Sequence, residues 1–247
     1  MCGGKNTARA TGKSVAVQVG ATDWDRIEGD VEKSGWAVRL IFFGSEECAS
    51  LAELFSLSDG FRKHVIMEQH SYGQGEYKYF SYPLPDLVAE LRNALYPHLV
   101  PIANRWNALM GIETRYPDAH EAFLERCHRA GQTRPTPLLL QYGEGDYNLL
   151  HQDLYGEHMF PTQVTILLSA PDEDFTGGEF VLTEQRPRTQ ARVHVVPLHK
   201  GDAVIFATHQ RPRRGTRGHY RVIMRHGVSA LRSGHRHTLG IIFHDAT

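Results

Sequence analysis

Two hydrophobic patterns divide the chain near Pro137. Before it, apolar residues recur three and four positions apart, the period of a helix with one buried face. In "SEECASLAELF", Cys48, Leu51, Ala52 and Phe55 share such a face, Ser45 stands at the expected N-cap, and Glu46 and Glu47 fall in the first turn. "DAHEAFLERCHRAGQ" repeats the pattern, with Asp118 and Glu121 at capping-box spacing and Gly131 where the helix should stop. Leu87, Leu91, Leu95 and Leu99 recur every four residues until Pro97 and Pro101, which predict an interruption and a second helix from Pro101 through Trp106. Residues 23–136 therefore read as a mainly helical region, preceded by a loose tail over 1–22.

After Pro137 the runs shorten and alternate with Gly, Pro and Asp: "PLLLQY", "DYNLLH", "TQVTILLS", "GEFVL", "RVHVVP", "AVIFA", "HYRVIMRHG" and "RHTLGIIFH". No helix-length segment separates these eight predicted strands, so residues 137–247 suit a two-sheet jelly roll or small barrel better than a βαβ fold. The expectation is a mainly β, α+β chain, with the N-terminal helices covering one face of a sheet.

Composition narrows the partners. With 41% hydrophobic residues, 22% charged residues and a formal net charge of -1, the chain lies in the globular range, so any polyanion site must be local. Cys2, Cys48 and Cys127 are odd in number and widely spaced, which suggests neither a disulfide framework nor a thiolate zinc site and favours a reducing cytoplasm. No run approaches the roughly 18 apolar residues of a membrane span.

The chemistry gathers at "NLLHQDLYGEHMF". In an extended strand residues i and i+2 point the same way, so His151 and Asp153 aim an imidazole and a carboxylate at one point. A tight metal site needs a third ligand, and His209, His219, His226, His235, His237 and His244 all follow. His226 is preferred because it ends a predicted strand just before Gly227, and because Arg236 stands ten residues beyond it. Two histidines and a carboxylate leave three positions of an octahedral ion open, the set that suits non-haem Fe(II) oxygen chemistry. A bidentate keto acid fills two of them and oxygen the third; its far carboxylate then calls for a planar two-pronged partner, and the Arg236 guanidinium fits that part.

Tyr142-Gly143-Glu144-Gly145, His151-Gln152-Asp153, Thr176-Gly177-Gly178-Glu179-Phe180, Gly201-Asp202-Ala203-Val204-Ile205-Phe206 and the His226 to Arg236 spacing form a series. It resembles the Fe(II)/2-oxoglutarate-dependent oxygenases with a double-stranded β-helix, especially a bacterial family similar to the prolyl-hydroxylase branch that is predicted to oxidise damaged nucleic acid. The resemblance runs from about Phe61 to Asp245. It implies His151, Asp153 and His226 as iron ligands and Arg236 as the 2-oxoglutarate clamp, assisted by Tyr142 and Thr238. It also implies hydroxylation of a substrate C–H bond with release of succinate and carbon dioxide, and loss of formaldehyde where the carbon is an N-methyl group.

The substrate stays open on these residues. "SYGQGEYKYFSYPLP" interleaves tyrosines with glycines and is a candidate lid over 70–85, in which Tyr77 and Tyr79 either stack an extruded base or simply pack. "HQRPRRGTRGHYR" carries Arg211, Arg213, Arg214, Arg217 and Arg221, and "EQRPRTQAR" adds Arg186, Arg188 and Arg192. Such runs are usually solvated loops, and the functional alternative is that residues such as Arg213 and Arg214 grip phosphates beside the site. The alkylated-nucleobase demethylases carry a second arginine six positions after the clamp, where this chain has Ile242. Nucleobase repair ranks first, with prolyl, peptidyl or free amino-acid hydroxylation as the alternative. A non-catalytic metal-binding jelly roll is the reading from another class. A hydrolytic zinc site fits less well, because no positioned general base accompanies the ligands.

Overall fold

The computed structural model describes residues 14–247. In chain order the helices and strands are α1 (Val15–Gly20), α2 (Trp24–Ser34), β1 (Trp36–Arg39), α3 (Ser45–Glu53), β2 (Phe61–Ile66), β3 (Gly73–Gln74), β4 (Glu76–Phe80), α4 (Asp86–Leu109), α5 (His120–Arg129), β5 (Leu138–Tyr142), β6 (Tyr147–His151), β7 (Thr162–Leu167), β8 (Phe175–Gly177), β9 (Phe180–Gln185), β10 (Arg192–Val196), β11 (Ala203–Ala207), β12 (Gln210–Gly215), β13 (Gly218–Val228), β14 (Leu231–Gly234) and β15 (Arg236–Ile241). One antiparallel sheet has the order β1-β11-β7-β15-β5-β4-β2; the facing sheet runs β10-β9-β13-β6-β3, with β12 on the remaining part of β13. The eight predicted strands are β5, β6, β7, β9, β10, β11, β13 and β15, four in each sheet, which is a jelly roll.

Period-two alternation sorts the larger sheet into two faces. Ala203, Ile205 and Ala207 of β11, Val164 and Ile166 of β7, and Leu239 and Ile241 of β15 join the core built with the helices. Val204, Phe206 and Leu167 turn the other way, into a second core between the sheets with Tyr142, Phe180 and Leu182. Coverage on both faces is why "AVIFA" is apolar throughout. The same alternation turns Arg236 and Thr238 of β15 and Gln163 of β7 towards the space between the sheets.

The region before Pro137 departs from the sequence expectation in several places. It is not only helical: β1 extends one edge of the larger sheet, β2 and β4 extend the other, and β3 pairs with β6. The predicted break at Pro97 and Pro101 does not occur, and α4 runs through both. The two rings lie four residues apart on the exposed side of the helix, so the carbonyls that they leave without donors face water, while Leu95, Tyr96, Leu99, Ile102 and Trp106 bury the opposite side. Helix starts also shift. Gly44 rather than Ser45 caps α3, its N–H donated to Glu47 Oε2 at 2.9 Å. Ala119 rather than Asp118 precedes α5. Gly131 does end α5, at φ +82°. The tail expected over 1–22 is shorter, since α1 packs Val15 and Val19 into the helical core, and residues 1–13 lie outside the described ones.

A buried ion pair ties α4 to the segment after β15. Arg92, 1% exposed, donates from Nη2 to Asp245 Oδ1 at 2.7 Å and from Nε to the Ile242 carbonyl at 2.9 Å. Asp245 Oδ2 also accepts from Tyr82 at 2.8 Å and from His128 at 2.8 Å. Burial alone would raise the Asp245 pKa, but Arg92 and these donors outweigh it and hold the carboxyl below its ordinary value. Asp245→Asn leaves the guanidinium buried without a counter-charge, and should cost on the order of 3–5 kcal/mol. Because the folded pKa is depressed, the contribution of the carboxylate is whole above the unfolded value of about 3.9 and drains away as pH falls through the folded one. Urea midpoints of wild type and Asp245→Asn should therefore differ widely at neutral pH and converge in acid.

Candidate metal centre

His151 and His226 are brought together by strand register. β13 runs antiparallel to β6 with His226 opposite His151, and the register shifts between His226 and Val228. Gly227 makes the close approach possible, because a Cβ there would sit 2.6 Å from the Asn148 carbonyl oxygen. The two imidazole centroids are 4.2 Å apart. Asp153, two residues beyond the end of β6, completes the group, and one ligand atom from each of the three lies within 4.8 Å of the others. Among the described residues this is the one such cluster of His, Cys, Asp and Glu. Neither His235 nor His237 displaces His226: His235 is exposed and His237 contacts Gln141 Oε1 at 3.1 Å.

The surroundings orient the ligands. His151 Nδ1 lies 2.8 Å from the Leu149 carbonyl, an obligate acceptor, so Nδ1 donates there and Nε2 is the nitrogen turned to the cluster. His226 is 7% exposed, and burial, then the neighbouring His151, pushes its pKa down and keeps it neutral. Asp153 accepts from Tyr155 OH at 2.6 Å on Oδ1 and from Gln163 Nε2 at 2.9 Å on Oδ2. Burial would raise its pKa, yet His226, His151 and Tyr155 hold the carboxyl well below the usual carboxylate range. Two neutral imidazoles and one ionised carboxylate are the state that binds a divalent ion.

All three residues line a cavity of about 620 Å³ between the sheets. Arg236 and Thr238 of β15 and Tyr142 of β5 line the same cavity. Arg236 is 1% exposed, its Nε has no hydrogen-bond partner, and its guanidinium lies 5.6 Å from the Tyr142 ring centroid and 5.9 Å from that of Phe175. Burial lowers its pKa to about 10, which leaves it charged at neutral pH. Gly178, at φ +60°, makes room for it: a Cβ there would lie 3.1 Å from Arg236 Cδ and 2.6 Å from Leu231 Cδ1. Tyr142 is fully buried beside Arg236, its pKa pushed up to about 12 by that burial, and its hydroxyl accepts from Asn148 Nδ2 at 3.2 Å. Tyr77 and Tyr79 also line the cavity and meet edge to face at 5.3 Å, and Tyr72, 51% exposed, stands at its opening.

Arg213 and Arg214 lie elsewhere. The run expected as a loop leading into a strand begins as a strand itself, β12, before β13 takes up Arg221; Arg213 Nη1 contacts Glu184 at 2.5 and 2.7 Å, Arg214 is exposed, and neither lines the cavity. Sequence reasoning passed over Tyr155 and Gln163, which hold the Asp153 carboxylate. Gln163 had a signal, a polar residue inside the apolar run "TQVTILL"; Tyr155, in an irregular segment, had none.

The same fold occurs in solved structures. A Pseudomonas putida prolyl-4-hydroxylase aligns with a TM-score of 0.53 at 13% identity, covering 91% of this chain and 99% of that one. A 2-oxoglutarate/Fe(II) oxygenase-family oxidoreductase from Burkholderia pseudomallei aligns at 0.51 and 14% identity over 92% and 94% of the two chains. A Trichoplax adhaerens prolyl hydroxylase aligns at 0.51 and 14% over 94% and 93%. The double-stranded β-helix is the fold of these structures, and in this chain it holds the His151/Asp153/His226 cluster. Its class is that of the oxygenases: residues 75–246 match the family model Oxygenase-NA, described as "Oxygenase, catalysing oxidative methylation of damaged DNA", and the chain belongs to that family. Two uncharacterised proteins from Mycobacterium tuberculosis strains are each 52% identical over 167 residues, 68% of this chain and 72% of theirs.

Replacing Gly227 tests whether this backbone contact builds the site. Gly227→Ala should push β13 away from β6 and lower affinity for Mn(II), measured calorimetrically under nitrogen, by about tenfold or more, the size of effect seen when a metal ligand loses its support. The far-ultraviolet circular dichroism of the β-rich fold should persist.

Proposed function

We propose that this protein uses Fe(II) and 2-oxoglutarate to hydroxylate a C–H bond on a base in damaged, single-stranded DNA. One observation carries the reading: a compact His2Asp cluster and a buried, unpaired arginine share the wall of one cavity. The donor set fits a ferrous ion with open positions. Glu179 attracts the buried Arg236 guanidinium but makes no direct ion pair with it, and the far carboxylate of 2-oxoglutarate is the bidentate partner that would complete it. When bound, the iron and keto acid supply the oxidation: dioxygen and 2-oxoglutarate are converted to succinate and carbon dioxide, and one oxygen atom passes to the substrate carbon.

The chain's own residues do the rest. His151 and His226 offer ring nitrogens and Asp153 an ionised oxygen, with Tyr155 and Gln163 restraining the carboxylate. Arg236 anchors the cosubstrate, with Thr238 and Tyr142 beside it. Among the described residues Arg236 is the one Lys or Arg in the cavity lining, so the space beyond it suits a neutral, flat group, and Tyr72, Tyr77 and Tyr79 offer ring faces and edges to a base lifted out of its stack. If the hydroxylated carbon is an N-methyl group, the product hemiaminal releases formaldehyde and the free base. The description of the family is the support for DNA as the source of that base.

Anaerobic protein given Fe(II) and then 2-oxoglutarate should develop a visible charge-transfer absorption, and His151→Ala and Asp153→Ala should abolish it. Arg236→Gln should keep the iron while weakening 2-oxoglutarate binding roughly ten- to a hundredfold, the cost of losing a charge-assisted hydrogen-bonded pair. Unchanged affinity would remove the clamp role. Formaldehyde released from N-methylated single-stranded DNA supports the substrate; hydroxylation of a prolyl peptide or free amino acid without formaldehyde would replace it.

A further inference from the structure

The strand order places two basic turns side by side. β9 lies between β10 and β13, and β12 pairs with β13 over 218–223, so the β9–β10 turn neighbours the β12–β13 hairpin. Glu184, 1% exposed, joins them. It accepts from Arg186 Nε at 2.9 Å on the first turn, and from Arg213 at 2.5 Å and from Arg211 on β12 of the hairpin. One carboxylate thus faces three guanidiniums, and the junction stays positive.

The surrounding charge has no such partner. Arg188 and Arg192 on the first turn and Arg214 and Arg217 on the second are exposed, and no carboxylate pairs with them among the described residues. Residues 185–192 and 210–221 hold eight of the chain's 27 Lys and Arg and none of its 28 Asp and Glu, in a protein of net charge -1. Glu28 and Glu32 of α2, whose last turn touches Arg211, are engaged by Arg105 at 2.7 and 2.6 Å. Crowded like charges repel, and a polyanion relieves that repulsion while releasing its own counterions. The cavity offers no such relief to phosphates, since its one Lys or Arg among the described residues is Arg236.

We propose that these two turns form one phosphate-binding surface that docks the backbone of a single-stranded DNA while its target base occupies the tyrosine-lined cavity; the proposal rests on the DNA reading above. The scale fits. Along β13, Arg221 lies ~17 Å from His226 and the hairpin tip ~26 Å, at about 3.3 Å per residue. That reach covers roughly five to eight phosphates at the ~3.4 Å spacing of a stacked strand.

The test is fluorescence anisotropy of a labelled oligothymidylate of about 15 nucleotides, titrated from roughly 50 to 200 mM salt, where phosphate binding shows as a steep fall in affinity. The variant Arg188→Glu/Arg192→Glu/Arg214→Glu/Arg217→Glu alters only exposed side chains without carboxylate partners. It should bind at least about tenfold more weakly, with a salt slope smaller by roughly 0.7 for each phosphate that it no longer neutralises. The matching Gln variant should be weakened less, and Fe(II) and 2-oxoglutarate titrations should be unchanged in both, which separates a docking defect from a folding defect. Wild type that does not bind, or a Glu variant with wild-type affinity and slope, overturns the surface. Formaldehyde released from a methylated oligonucleotide by the Glu variant at wild-type kcat/KM also overturns it and leaves the DNA reading standing. Salt-dependent binding that is absent from the Glu variant, with no formaldehyde from wild type, supports the surface and removes the demethylation reading instead.

Discussion

The pairing of His226 with His151 across β13 and β6 is the constraint on which the rest of the site depends. Strand side chains alternate faces, so a slip of one residue would turn His226 out of the interior and leave His151 and Asp153 as an incomplete pair. Gly227 holds the pairing by letting β13 press against the Asn148 carbonyl, an approach that no side-chain-bearing residue permits without displacement. Asp153 then needs no strand of its own, because two hydrogen bonds, from Tyr155 and Gln163, aim its carboxylate at the imidazoles.

The electrostatic design sets one cost against another. Buried charges without partners destabilise a fold, and most of those in this protein are paired: Arg92 with Asp245, and Arg211 with Glu184. Arg236 differs: inside the cavity it is flanked by the Tyr142 and Phe175 rings, and Glu179 attracts it without forming an ion pair. The other deep guanidiniums form direct ion pairs and this one does not, and it lies within the same walls as the His151, Asp153 and His226 cluster.

Much of this was legible in the chain itself. Most of the eight jelly-roll strands announce themselves as short β-rich runs bounded by turn residues, and His151 and Asp153 stand out by their spacing, although Asp153 lies past the end of β6 and is aimed by Tyr155 and Gln163 rather than by strand periodicity. The helical half was harder. Prolines at 97 and 101 read as breaks because local sequence does not reveal that both rings face solvent on a helix whose other side is buried. "GEYKYF" and "WAVR" join β5 and β11 of the larger sheet through partners 59 and more residues away, and such pairing leaves little local trace. Arg213 looked available for a ligand because its partner, Glu184, stands on a different strand. The adjacency of the two basic turns is likewise a product of strand order.

β15 lies in the middle of the larger sheet, between β7 and β5, although it is the last strand of the chain to be made. During synthesis β5 and β7 must therefore wait, with open edges, for some seventy residues or more to emerge before the strand that separates them can insert. Arg236 rides on that same strand, while His151, Asp153 and His226 all precede it. The buried guanidinium therefore joins the three ligand side chains around one cavity only when the sheet is completed.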